Sequence, residues 1–207
     1  MQSFKLFLEG TGKSIHYFDI DDTLMHTSKA PIKVHVRDEN GNHVGSLDSA
    51  QYNHHKLQPG HSYDFSEFRS SEKFAQHAKP VRKLLAKMKA IHKNGGKTEM
   101  LTARSDFDDK EKFAAKWKAH GVDISPGSNH VRRAGNLTGV PTHEAKAKII
   151  SDAINKQGHK EVHLYDDHKK NIDAFMALKE KHPDVTFHGH HVEHNSDGTV
   201  KLTHYKA

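Results

Sequence analysis

Short apolar runs alternate with amphipathic stretches along most of this 207-residue chain, and no other feature narrows its fold as far. Residues 4–8 (FKLFL) and 15–20 (IHYFDI) read as strands joined by a glycine-rich turn, Gly10–Lys13. Residues 32–36 (IKVHV) and 43–47 (HVGSL) flank Asn40-Gly41, a strong tight-turn signal, so a projecting β-hairpin is predicted there. The polar and aromatic residues 48–70, with Pro59-Gly60, read as loop. Pro80 opens a helix whose inner face is Val81, Leu84, Leu85, Met88 and Ile91, closed by Asn94-Gly95-Gly96. Lys97–Thr102 then reads as a strand and Asp108–His120 as a helix with Phe113 and Trp117 inward. A further helix starts at Pro141-Thr142, followed by a strand at Glu161–Tyr165, a helix at Asn171–Lys181 and a strand at Val185–Val192. The alternation predicts an α/β, Rossmann-like, mostly parallel sheet with helices on both faces. Residues 1–207 read as a single domain, in which residues 25–80 form a small cap insertion: a hairpin at about 32–47 plus a loop.

Composition removes several function classes. The chain has no cysteine, so thiol catalysis, zinc–thiolate fingers, iron–sulfur clusters and disulfide frameworks are excluded. No apolar run approaches a membrane span. The opening MQSFKLFLEGTGKS places an acid and glycines where a signal peptide needs an unbroken apolar core, so a cytoplasmic location is expected. Lys+Arg 32 against Asp+Glu 26 leaves a net charge of +6, which adding all 21 histidines would raise to +27. That balance suits either simple solubility or a phosphate-rich partner.

Three strands end in polar residues, and in sheets of this class ligands gather at the carboxyl ends of strands. The first ends in Asp19-Ile20-Asp21-Asp22-Thr23, the second in Thr102-Ala103-Arg104, the third in Asp166-Asp167. Carboxylates at the end of an apolar strand are costly unless a cation or a reaction uses them. Two such clusters facing one crevice would make an oxygen-only site suited to Mg²⁺. Lys146, near the start of the helix beginning Thr142-His143-Glu144, is placed to reach the same crevice, with Lys148 as its rival.

These residues resemble the haloacid dehalogenase (HAD) superfamily of phosphohydrolases. YFDIDDTL is similar to its first motif, Asp-x-Asp-x-Thr after an apolar strand, although that motif often has Gly where Asp22 stands. The strand ending at Thr102 resembles the second motif, Lys146 the third and LYDD the fourth, and the likeness spans residues 15–190. The resemblance implies Asp19 as nucleophile, Asp21 as general acid and then base, and Thr102 and Lys146 as catalytic groups that hold the transferring phosphoryl. It implies Mg²⁺ held by Asp19, the backbone carbonyl of Asp21, and Asp166, with Asp167 as a direct ligand or one step behind. Arg104, Arg132 and Arg133 are candidate substrate-binding residues. The modest insertion, the positive balance and Thr-Ala-Arg also resemble the 3′-phosphatase part of polynucleotide kinase–phosphatases and small phage-type relatives. The expected reaction is therefore Mg²⁺-dependent phosphomonoester hydrolysis on an RNA or DNA end or a nucleotide. A small-metabolite phosphatase and a non-catalytic nucleic-acid binder on the same fold are the alternatives.

Other motifs carry less. Gly10-Thr11-Gly12-Lys13-Ser14 imitates a P-loop, but Phe7 stands where its first glycine belongs. His188, His190, His191 and His194 lie close in sequence, yet on a strand His191 faces away from His188 and His190. Neither they nor His54-His55 are read as a metal site. Tyr52, Tyr63, Phe65 and Phe68 either pin the insertion to the core or stack on bases.

Overall fold

A computed structural model of the protein describes residues 14–27, 32–124 and 131–207, so the strand expected at 4–8, its following turn and the P-loop-like segment 10–13 lie outside the described residues. The strands are β1 (Ser14–Phe18), β2 (Met25–His26), β3 (Val34–Arg37), β4 (His43–Leu47), β5 (Ser62–Asp64), β6 (Lys79–Pro80), β7 (Lys97–Thr102), β8 (Val131–Arg133), β9 (Glu161–Asp166), β10 (Thr186–His194) and β11 (Val200–Lys206). The helices are α1 (Ser49–His54), α2 (Ser71–His77), α3 (Arg82–Lys93), α4 (Lys110–Ala119), α5 (Thr142–Gln157) and α6 (Lys169–Met176).

The central sheet runs β11-β10-β9-β1-β7-β8. Its five strands from β8 to β10 are parallel, and β11 closes one border antiparallel to β10. From β1 the chain winds outward through β7 and β8, then crosses back to β9 on the other side of β1. That reversal opens a crevice beyond the carboxyl ends of β1 and β9. Alternate residues of β1 serve opposite faces, as a period of two requires. Ile15 and Tyr17 pack with Leu164, Ile150, Ile154 and Phe175 beneath α5 and α6, while Phe18 packs with Met100, Leu84, Met88 and Tyr165 beneath α3. Gly189 lets α6 approach β10, since a Cβ there would lie 3.0 Å from the Ile172 side chain.

Residues 25–80 form the expected insertion with more structure than a hairpin and a loop. The antiparallel pair β2–β6 closes its base, and β5 adds a third strand to the hairpin in the order β4-β3-β5. The stretch 48–70 is not loop throughout: Asp48 and Gln51 form a reciprocal capping box that starts α1, and a 3-10 turn occupies Ser66–Arg69. Ser70 caps the unforeseen helix α2 by accepting from the Lys73 amide. Pro80 ends β6 instead of opening α3, which begins at Arg82. The helix expected over 171–181 is α6 followed by a 3-10 turn at Ala177–Glu180. In the central sheet two strands went unforeseen: β8, three residues long, and β11, which a turn at Asp197-Gly198 folds back onto β10.

Candidate active site

The last residue of β1's ladder is Asp19, whose amide donates to the Tyr165 carbonyl of β9 at 2.9 Å. The chain then turns tightly: the Ile20 carbonyl accepts from the amides of Leu24 and Met25, and Asp22 sits at φ 50°. A left-handed backbone favours glycine, which accounts physically for a glycine being acceptable at this position. The Asp22 carboxylate holds the turn by accepting from the Thr27 amide at 3.0 Å.

Lys146 projects from the second turn of α5 into the crevice. Its Nζ donates to Asp19 Oδ1 at 2.8 Å and to Asp166 Oδ2 at 2.7 Å, and all three side chains are buried. Lys148 instead faces solvent and pairs with Asp152, so the rivalry between the two lysines resolves toward Lys146 in geometry. Asp166 is held firmly: its Oδ1 accepts from the His168 amide at 2.9 Å and the Asn171 side chain at 2.8 Å, which leaves Oδ2, already accepting from Lys146, with one further lone pair. Asp167 is different: its carboxylate accepts no hydrogen bond from the described residues, while its backbone carbonyl accepts from His191 Nε2 at 2.9 Å. Carboxylate oxygens of Asp19, Asp166 and Asp167 lie within 4.8 Å of one another.

Three carboxylates against one ammonium leave the pocket short of positive charge. Burial pushes the Asp19 carboxyl up to about 8, Lys146 pulling it down and Asp166 and Asp21 pushing it further up. Burial also raises Asp167 well above the usual carboxylate range, helped by Asp166 and Asp19. For Lys146 burial acts against the charge, but Asp166 and Asp19 outweigh it and hold the ammonium above its ordinary value. This all-oxygen, electron-rich donor set fits a hard divalent cation. Asp19, Asp166 and Asp167 each have a carboxylate oxygen that could serve it.

Asp21 lies on the other side of the turn, in a two-point pair with Arg104: Nε to Oδ2 at 2.8 Å and Nη2 to Oδ1 at 2.6 Å. The guanidinium is almost fully buried, donates Nη1 to the Phe68 carbonyl at 2.5 Å and stacks on the Phe68 ring at 4.7 Å. Arg104, expected on substrate, is therefore committed to Asp21 and to the insertion. Thr102 is buried at the end of β7, its hydroxyl accepting from the Arg104 amide at 3.1 Å. Gly135 seats the following loop, since a Cβ there would stand 2.2 Å from the Ala103 carbonyl oxygen.

Arg132 and Arg133 are not brought to the carboxylates. Arg132 pairs with Glu99 at 3.0 Å on β7. Arg133 is abreast of Thr102 in the sheet, but its Nε lies 3.3 Å from Asp106, too poorly aligned for a hydrogen bond. Four supporting residues carried no local signal: Asn171 behind Asp166, His191 on the Asp167 carbonyl, His194 on the Asp22 carbonyl and Phe68 under Arg104. His191 and His194 act across strands, Phe68 acts through the insertion, and Asn171 acts from the first turn of α6. In the insertion, Tyr52 packs edge-on against Tyr63 at 4.9 Å and Phe65 at 5.4 Å, with Phe65 left exposed.

No helix among the described residues is long and apolar enough to cross a membrane. No known family model matches the chain, and no curated protein sequence is similar to it.

Proposed function

We propose that the protein is a Mg²⁺-dependent phosphomonoester hydrolase of the HAD type, working in the cytoplasm through an aspartyl-phosphate intermediate. The observation that carries this reading is Lys146, a buried ammonium bridging Asp19 and Asp166 at the point where the strand order reverses. A structural ion pair in a core would not need a third, unpartnered carboxylate beside it; Asp167 supplies one.

Asp19, the backbone carbonyl of Asp21 and Asp166 would hold Mg²⁺, with Asp167 as a direct ligand or one step behind. When bound, the ion supplies positive charge to the phosphoryl oxygens. The chain's own residues do the rest. An Asp19 oxygen attacks phosphorus as the ester P–O bond breaks, and Asp21 delivers a proton to the departing oxygen. In the second step Asp21 takes a proton from water, the water oxygen bonds to phosphorus and Asp19 is released. The Thr102 hydroxyl, already accepting from Arg104, keeps its own hydrogen to donate to the phosphoryl group. Lys146 offsets charge on the same group and fixes the Asp19 carboxylate. Arg104 positions Asp21, and the Asp21 carboxylate must leave that pair and take up a proton from solvent before it can deliver one to the departing oxygen.

The substrate class that fits best is a nucleic-acid 3′-phosphate end or a nucleotide. The insertion is small, carries the Tyr52–Tyr63–Phe65 cluster, and belongs to a chain of net charge +6. Release of phosphate from an aryl phosphate with Mg²⁺, abolished by Asp19→Asn, tests the reaction; activity that survives Asp19→Asn overturns it. A panel of 3′-phosphorylated oligonucleotides, mononucleotides and sugar phosphates then tests the substrate class, and a clear preference for sugar phosphates overturns that part.

A further inference from the structure

The face of the central sheet beneath α3 carries a row of histidines at the amino-terminal half of its strands. Register sets His16 of β1 abreast of His163 of β9, and His163 abreast of His188 of β10. Their rings stack at 4.0 and 4.4 Å. Glu161 lies two residues before His163 on the same face, and one of its oxygens, Oε1, is 3.2 Å from His163 Nε2 and 3.3 Å from His188 Nε2. One carboxylate oxygen thus faces two imidazole nitrogens, a grouping invisible in sequence because His188 arrives from another strand.

The spacing is informative. Two ligand atoms about 2.0–2.1 Å from a tetrahedral Zn²⁺ stand about 3.3–3.4 Å apart, close to both measured separations. A carboxylate only accepts, so each imidazole presents Nε2–H to it and has its Nδ1 lone pair turned inward. Those Nδ1 atoms meet second histidines: His163 Nδ1 lies 3.2 Å from His190 Nε2, and His188 Nδ1 lies 3.0 Å from His204 Nε2. When an ion takes the Nε2 lone pairs, the proton of each ring moves to Nδ1 and is donated to Nε2 of the histidine behind, whose own proton shifts to its Nδ1, so all four rings stay neutral imidazoles. This is the outer arrangement that orients ligating histidines.

We propose that Glu161, His163 and His188 form a binding site for a borderline divalent cation of the zinc class, with His190 and His204 as its supporting shell. The site lies at the opposite end of β9 from Asp166, five residues or about 16 Å away along the strand. Its two nitrogen ligands favour Zn²⁺, Co²⁺ or Ni²⁺ over Mg²⁺. The Glu161 carboxylate is half exposed, which leaves a path for the ion and room for a water as fourth ligand.

The test is titration of the full chain, kept in excess Mg²⁺, with Zn²⁺ by calorimetry and with Co²⁺ by visible absorption. His26 and His194, with Asp22, form another group able to take such an ion, so His194→Gln is run in parallel. The expected result is a site retained in His194→Gln, with the visible bands of four-coordinate Co²⁺. Its affinity should fall at least about ten-fold in Glu161→Gln, a change on the surface, and in His188→Gln. His204→Gln, which removes a supporting partner, should weaken it by about ten-fold as well. Unchanged Zn²⁺ affinity in both Glu161→Gln and His188→Gln, or loss of all binding in His194→Gln alone, overturns the proposal. Aryl phosphate hydrolysis is not the readout, so failure here leaves the proposed reaction untouched.

Discussion

Replacing Lys146 with Met keeps the buried stem and removes only the ammonium, so it isolates the charge that joins Asp19 to Asp166. The two contacts, at 2.8 and 2.7 Å, are made by side chains with almost no exposure. Breaking a buried ion pair by deleting one partner costs about 3–5 kcal/mol. In a chain of this length that is a fall in Tm of roughly 6–20 °C. The carboxylates can relieve part of the cost by taking up a proton. Asp19, already pushed up to about 8, is raised further once Lys146 no longer pulls it down. A carboxyl raised above its unfolded value contributes stability that is complete below the unfolded pKa and is lost as pH rises through the folded one. In metal-free buffer both proteins should therefore lose stability from about pH 4 to pH 8. Lys146→Met should go on losing it beyond that, so its deficit in Tm widens from pH 6 to pH 9. Thermal unfolding followed by circular dichroism across that range measures the gap. Phosphate release at pH 7 with Mg²⁺ should fall by roughly 10²–10³-fold, as when one charge-stabilising donor is removed. An unchanged Tm, or a deficit identical at pH 6 and pH 9, would refute the electrostatic reading of this triad.

Arg104→Lys cannot keep the two-point pair with Asp21. Steady-state kinetics on an aryl phosphate should show kcat lowered with KM nearly unchanged and the acid–base limbs of the pH profile displaced; a raised KM with kcat intact would return Arg104 to the substrate. Gly135→Ala drives a methyl group to 2.2 Å from the Ala103 carbonyl oxygen and 2.7 Å from Arg104 backbone carbon. The backbone shift should cost about 1–3 kcal/mol, lowering both Tm and kcat, and a Tm within about a degree of the parent would mean that the loop simply slides away.

How much of this was legible in the sequence follows from where each contact is made. β1, β7 and β9 could be read because each is an apolar run that stops on polar residues. Lys146 could be placed because it lies near a recognisable helix start. The Asp21–Arg104 pair could not, since it depends on how the turn after β1 meets the end of β7 and on Phe68 arriving from the insertion. The seating of Asp166 rests on Asn171 and the His168 amide, both set by how α6 begins. The histidine row crosses strands and so leaves no pattern along any one of them: Glu161 is two residues from His163, and only the register of β9 with β10 joins it to His188. Within the insertion, the capping box at Asp48 and Gln51 was a readable helix start hidden among polar residues.

The ends of the bridge at Lys146 are far apart in the chain: Asp19 precedes it by 127 residues and Asp166 follows it by 20. Closing so long a loop is slow and entropically expensive. During synthesis, Asp19 must wait at the end of its strand, hydrated and uncompensated, until α5 and then β9 emerge and dock. The bridge thus comes into being in a late act of folding, and a nascent chain that stops short of Asp166 holds Asp19 without the partners that seat its charge.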